Sequence, residues 1–261
     1  MSTSSSSSAA SALPSAQTVA RAVQLLRLVA SSKARRLRLI DLAEMASLDK
    51  STAHRLLQRL VDERLLVRDE GERGYRLGPL LYELGLAALP SSNLRELAQP
   101  ALQALAKATG DMAFLVGRSG YESVCLDRIA GNFAIQTMTQ GVGDRHPLGI
   151  GAGGLAILAS LSAAEQLIVM ETIAPQLRRY RVTEKVLLAR AQTTAERGVA
   201  IDEGSAAVDV TAVGRAVCDK SGNPVGAVFV ASIRSRMVEG RLREVDKRLQ
   251  ACVNAIQAGL R

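Results

Sequence analysis

The chain has 261 residues, 48% of them hydrophobic, which is enough to bury two cores of ordinary size. Its 33 Lys and Arg against 25 Asp and Glu give a net charge of +8, while three cysteines and two histidines offer neither a disulfide framework nor a metal-ligand spacing. No stretch approaches the roughly 18 apolar residues that a membrane helix needs, so the composition predicts a cytoplasmic protein with reduced, packed thiols, no metal and no cofactor.

Met1 to Ala16 is rich in Ser and Ala and carries no charge or long apolar core, which fits a disordered leader at residues 1–16 rather than a secretory signal. Thr18 to Ala30 then places Val19, Ala22, Val23 and Leu26 on one helical face, which suits a helix packed on its neighbours and facing a partner subunit. Leu39, Ile40, Leu42 and Ala43 mark the buried face of a short helix. Ser47-Leu48 ends it, and Asp49 stands ready to cap the next.

That next helix repeats Ala53, Leu56, Leu57 and Leu60 at i, i+3, i+4 and i+7, so one stripe faces a core. Its other face carries Lys50, Ser51, Thr52, His54, Arg55, Gln58 and Arg59. Hydroxyl and amide groups bond phosphates and base edges, and Arg can fork onto guanine, so this is the chemistry of a major-groove reader. A basic solvated surface helix has the same composition. What separates the two is the setting: a helix and tight turn come before, and strands at Leu65–Arg68 and Gly74–Leu77 come after, joined by a polar loop, Asp69–Arg73, with Gly71 at its centre. This is the outline of a winged helix-turn-helix over residues 17–78. Arg68, Arg73 and Arg76 of the wing, and Arg36 and Arg38 before the first helix, are candidate DNA contacts, whereas Asp69, Glu70 and Glu72 repel a phosphate backbone. Residues 17–78 hold 13 Lys and Arg against 8 Asp and Glu, a net +5, while residues 79–261 hold 20 against 17, a net +3. The positive excess is densest where the DNA-binding pattern lies.

Pro79 opens an apolar segment, Leu80 to Leu89, that Pro90-Ser91-Ser92 closes, giving a linker helix and loop over residues 79–92. The remainder, 93–261, changes character. Helices are expected at Asn93–Ala108, kinked near Pro100, then at Leu155–Leu161, Ala163–Thr172, Glu184–Gly198 and Arg241–Leu260. Strands are expected at Met112–Val116, Glu122–Ile129, Ala134–Thr139, Ala212–Cys218 and Val225–Ile233. Strands grouped around helices on one side give an α+β sensor domain.

Leu39-Ile40-Asp41-Leu42-Ala43 followed by Leu48-Asp49-Lys50-Ser51-Thr52-Ala53-His54-Arg55-Leu56-Leu57, with Tyr75-Arg76-Leu77-Gly78 after the wing, resembles the IclR-type transcriptional regulators. The likeness runs over nearly all of residues 18–258, and Arg145-His146-Pro147-Leu148, the glycines up to Gly154 and Asp219 through Ala227 resemble that family's effector domain. It implies a GAF-like α/β effector domain, a homodimer or dimer of dimers, a pseudo-palindromic operator, and small organic or aromatic acids as effectors. It also marks Gly151, Ala152 and Gly153 as the loop lining the effector site, Asp202 as an acidic group on its rim, and Ser232 as a further candidate. The chain departs from the family where Ser47 and Arg64 replace glycine, where Gly154-Leu155-Ala156 replaces Gly-Lys-Ala, and near Ala212, where relatives have cysteine.

Gly149 to Gly154 also spells GxGxxG, but no strand leads directly into it and no parallel βαβ unit surrounds it, as a dinucleotide site requires. Two readings remain for these glycines: helix-start N–H groups facing a carboxylate, or close packing without a ligand. Asp202 is equally an effector contact or a helix-end or surface group, and His146 a pocket donor or a capping or packing side chain. The absence of GxSxG, HExxH and P-loop patterns argues against an enzyme, and the large second domain argues against a purely architectural DNA-binding protein.

Overall fold

The computed structural model describes residues 14–31, 37–69, 74–88, 94–137 and 139–260. The chain separates into two units, residues 1–89 and 90–261.

In the first unit, α1 runs Pro14–Ser31. Proline is suited to a first helical turn, where its missing N–H costs nothing, so the helix begins inside the segment expected to be leader. Helix α2 is Leu39–Met45, with Leu42 and Ala43 buried, but Ile40 is 59% exposed rather than in the core. Two residues are about 200° of helix, so Ile40 lies opposite Leu42. The chain then turns through Ser47, held left-handed at φ 54°, where Leu48 N–H reaches Ala43 C=O at 2.9 Å.

Helix α3 spans Lys50–Asp62 and is capped by Asp49, whose carboxylate accepts from Thr52 N–H at 2.8 Å and Ser51 Oγ at 2.7 Å. These hydrogen bonds hold the Asp49 carboxyl far below the usual carboxylate range. Ala53, Leu57 and Leu60 enter a core with Leu25, Leu42, Leu66 and Tyr75. Arg64, also left-handed at φ 58°, turns the chain into β1, Leu66–Asp69, which pairs antiparallel with β2, Gly74–Leu77. Leu37 bridges to Tyr75, so the ribbon gains a third short edge contact. Helix α4, Pro79–Ala88, starts against this unit: Leu80 N–H reaches Arg64 C=O at 3.3 Å and the Arg64 guanidinium pairs with Glu83 at 2.8 Å.

The second unit is a six-stranded antiparallel sheet in the order β5-β4-β3-β8-β7-β6. Its strands are β3 Met112–Ser119, β4 Glu122–Ile129, β5 Arg145–Pro147, β6 Ala200–Glu203, β7 Val210–Cys218 and β8 Pro224–Ile233. Helices cover both faces, not one as the sequence suggested. Along β8, Ala227, Phe229 and Ala231 join the core under α6 (Gly151–Ala159), α7 (Ala163–Leu177) and α8 (Glu184–Arg197), while Val228 and Val230 join the core under α5 (Leu94–Thr109) and α9 (Glu239–Gly259). The two-residue period of a strand makes this division.

Two expectations fail here. Ala134–Thr139 is not a strand among the described residues; the outer edge of β4 is already taken by β5 through Ser123↔His146, so this segment has no ladder to join. It is tied instead by Thr137 Oγ1 donating to Ala231 C=O at 2.9 Å. The glycine run, expected as a loop before a helix at Leu155, is the first turn of α6 itself. Behind the sheet, buried Asp111 is clamped by Arg236 and Arg241, each at 2.9 Å, and by Ser232 Oγ at 2.7 Å, joining the start of β3, the end of β8 and α9.

Ser47 and Arg64 occupy backbone that costs an L-residue roughly 1–2 kcal/mol and glycine almost nothing. Ser47→Gly is therefore expected to stabilise the first unit by about 1 kcal/mol, raising its thermal midpoint by about 4–8 °C for a domain of this size. An unchanged or lower midpoint would refute the strain.

Candidate functional site

Two regions gather the residues that carry recognisable chemistry. The first is the outward face of α3, where Lys50, Ser51, His54, Arg55, Gln58 and Arg59 are exposed and Thr52 is half-buried. The cap fixes where this face begins. Ser51 Oγ is engaged with Asp49, Gln58 Nε2 donates to Asp62 at 3.0 Å, and Arg59 pairs with Glu63 at 2.5 Å. These are exposed bonds of little net worth, released at small cost. Lys50, His54 and Arg55 have no such partner among the described residues. On the ribbon, Arg68 pairs in register with Tyr75 and Arg76 with Val67, so the two arginines leave on opposite faces. Arg38 is exposed before α2 and pairs loosely with Asp41 at 3.4 Å. Arg36 and Arg73 lie outside the described residues.

The second region is a cavity at the start of α6. It is lined by Ile150, Gly151, Ala152, Gly153 and Gly154 of that turn, by Ser123, Thr139, Gln140 and His146 on one side, and by Asp202, Ala206, Ala207, Val210, Ala212 and Phe229 on the other. Atom-free space between these walls is about 410 Å³.

Local sequence explains the uncapped helix start. Ile150 occupies the cap position and has no side-chain oxygen to offer. Gly151, at φ 69°, turns its N–H toward Ser205 Oγ at 3.3 Å. That leaves the Ala152 and Gly153 N–H groups as first-turn donors without an intrahelical acceptor. A Cβ on Gly153 would stand 2.8 Å from Val116 Cγ2 and 2.9 Å from Phe229 Cδ1. Close packing and donor presentation are both properties of this turn, so the two readings of the glycines coexist. The surrounding sheet is antiparallel throughout, which removes the dinucleotide reading.

Asp202 does line the cavity, but buried on β6 rather than on a rim. Its carboxylate accepts from Ser205 Oγ and, at 3.2 Å, from Ser205 N–H, with Arg190 3.7 Å away. It holds the 204–209 loop over the pocket. Ala212 lines the cavity too. Ser232 does not: it lies one residue past Ala231 on β8, so strand alternation sends its hydroxyl to Asp111 on the opposite face. Sequence reasoning missed Ser123, Thr139 and Gln140, which come from β4 and an irregular segment far away in the chain.

His146 reaches the cavity from β5, with Nδ1 3.1 Å from the Tyr180 hydroxyl. The described cysteines form no disulfide with one another, and burial pushes the Cys252 thiol up to about 12.

Known proteins with these features identify the lineage. The description "Bacterial transcriptional regulator IclR C-terminal" matches residues 86–258, and "IclR helix-turn-helix domain" matches residues 18–70. The chain belongs to the IclR family. The HTH-type transcriptional regulator XynR of Escherichia coli is 30% identical over 253 residues, covering 95% of this chain and 96% of that protein. In fold, an IclR regulator of Alicyclobacillus acidocaldarius superposes with a TM-score of 0.75 at 23% identity, over 93% of this chain and 98% of that one. An IclR homolog of Microbacterium hydrocarbonoxydans, solved with 4-hydroxybenzoate, gives 0.71 at 22% identity, over 92% and 98%. As a member of the IclR family the protein is a DNA-binding transcriptional regulator and not an enzyme, built as a helix-turn-helix domain followed by an α/β domain. Among the described residues no helix is long and apolar enough to cross a membrane.

Burial holds the His146 pKa below its ordinary 6.5; Asp144, Asp202 and Glu122 oppose this and Arg179 reinforces it. The unfolded chain therefore takes up the proton first, and stability falls as pH drops below about 6.5. Replacing His146 with Gln is expected to flatten the loss of thermal midpoint between pH 7.5 and 5.5; an equally steep loss in the variant would show that other groups carry it.

Proposed function

We propose that this regulator is ligand-responsive, acting on catabolic genes through a pseudo-palindromic operator and a small organic or aromatic acid. The observation that carries the reading is the pairing of an exposed, largely unpartnered Lys/His/Arg face on α3 with a pocket in the other unit that presents helix-start N–H donors. In the first unit, α3 is the reading helix. Arg55 and Gln58 address base edges, Lys50, Ser51, Thr52, His54 and Arg59 address bases or the flanking phosphates, and Arg38, Arg68 and Arg76 hold the backbone. Because Arg68 and Arg76 diverge, the ribbon positions the protein on DNA more than it adds affinity.

Self-association as a homodimer, or a dimer of dimers, supplies the two-fold symmetry that matched half-sites require. Exposed apolar side chains support it: Val19 on α1 is 64% exposed and Tyr82 on α4 is 71% exposed. In the second unit, the Ala152 and Gly153 N–H groups receive the carboxylate of the effector at the positive end of α6. The 4-hydroxybenzoate of the Microbacterium homolog is an acid of this kind.

Two results test this. Fluorescence anisotropy on DNA from beside the gene, against scrambled DNA at matched salt, is expected to show preference for the native fragment, altered by one acid of an aliphatic and aromatic panel. Equal affinity for both DNAs with no ligand response would instead favour an architectural DNA-binding protein. On the same DNAs, Arg55→Ala and Gln58→Ala should each cost about 1–3 kcal/mol on the operator and relax its sequence choice, whereas Arg38→Ala should weaken all duplexes alike and lower the salt slope by about 1. Undiminished selectivity in the α3 variants would remove this helix as the reader.

A further inference from the structure

Two polar atoms in the wall of the α6 cavity have no partner. Gln140 is only 8% exposed, and its Oε1 is buried without a hydrogen bond; Thr139 Oγ1, beside it in the same wall, is in the same condition. Buried polar groups are nearly always satisfied, and an orphan is unfavourable unless something fills the vacancy. The backbone that carries Gln140 is held at the wall: its C=O accepts from Arg128 Nη1 at 3.4 Å and the neighbouring Gly141 N–H is tied to Asp144 at 2.5 Å.

Building on the effector-pocket reading above, we propose that Gln140, assisted by Thr139, selects the effector by its hydroxyl group, so that the ligand is a hydroxycarboxylate. An amide oxygen only accepts, so the ligand must bring a donor to it. An ammonium donor is disfavoured because the carboxylate in the wall, Asp202, is already engaged by Ser205 and Arg190. Phe229, stacked on Phe114 at 4.6 Å, gives the cavity an apolar floor for the body of the ligand, alkyl or ring, so the wall selects by the hydroxyl and not by the carbon skeleton. With the carboxylate on the first turn of α6, the hydroxyl is the group left to meet Gln140 and Thr139, which line the same cavity.

The test is isothermal titration of the full-length protein with lactate against propionate and with 4-hydroxybenzoate against benzoate, the second of each pair lacking the hydroxyl. The wild type is expected to bind at least one hydroxy acid about tenfold more tightly than its counterpart, the worth of one neutral hydrogen bond. Gln140→Leu should erase that preference, with Thr139→Val giving a smaller loss; thermal unfolding of each variant checks that it folds. Equal wild-type affinities, or a preference that survives in a folded Gln140→Leu protein, would overturn the assignment while leaving the pocket reading intact. If neither acid class binds, or if binding survives Ala207→Phe at the cavity wall, the pocket reading itself fails and the proposal falls with it.

Discussion

The second unit depends on how closely the first turn of α6 lies on the sheet. Gly153 meets Val116 and Phe229 with no room for a side-chain carbon, and from the sheet side a Cβ on Gly214 of β7 would stand 3.1 Å from the Ala152 backbone. Glycine on both surfaces allows that approach without displacing Val116, Phe229 or the Ala152 backbone. Several features follow from it. The helix start is pinned over β3, β7 and β8, its cap residue Ile150 supplies no oxygen, and its first donors open into a cavity roofed by the 204–209 loop. A large residue in place of either glycine would lift α6 and lose the pocket and part of the core together, because closely packed interiors do not deform gradually.

The first unit rests on a different constraint, the placement of one helix face. Asp49 caps α3 and the left-handed turn at Ser47 sets its direction, so that Ala53, Leu57 and Leu60 point inward while Arg55 and its neighbours point outward. The chain spends conformational strain at two non-glycine residues to do this, an uncommon choice where glycine is available. The outward face is left with weak, exposed partners that a phosphate backbone can replace, consistent with a protein whose positive excess is concentrated in residues 17–78.

Much of this was legible in the residues. The α3 stripe, the Asp49 cap and the wing strands follow from strong local periodicity and turn chemistry, and the structure moves their ends by about a residue. What was not legible depended on distant pairing. β5 and β6 have three and four residues, too short for any pattern, and exist because β4 and β7 have edges to fill. Ala134–Thr139 has the composition of a strand but lost that edge to β5. Ser232 looked like a pocket residue until the register of β8 fixed its face. Gln140 and Thr139 carried no signal at all, because an orphaned atom is a property of its surroundings and not of a sequence motif.

In the proposed reading the two units are joined by a coupling free energy: an acid in the α6 cavity would change operator affinity only by as much as its own affinity differs between the DNA-bound and free protein. The most direct measurement is therefore a thermodynamic cycle, with operator affinity determined with and without saturating acid, and acid affinity determined with and without operator. The expected result is one factor, about fivefold or more, appearing equally on both sides of the cycle. Acid binding of identical strength to free and operator-bound protein, with operator affinity unchanged by the acid, would contradict a ligand-responsive regulator.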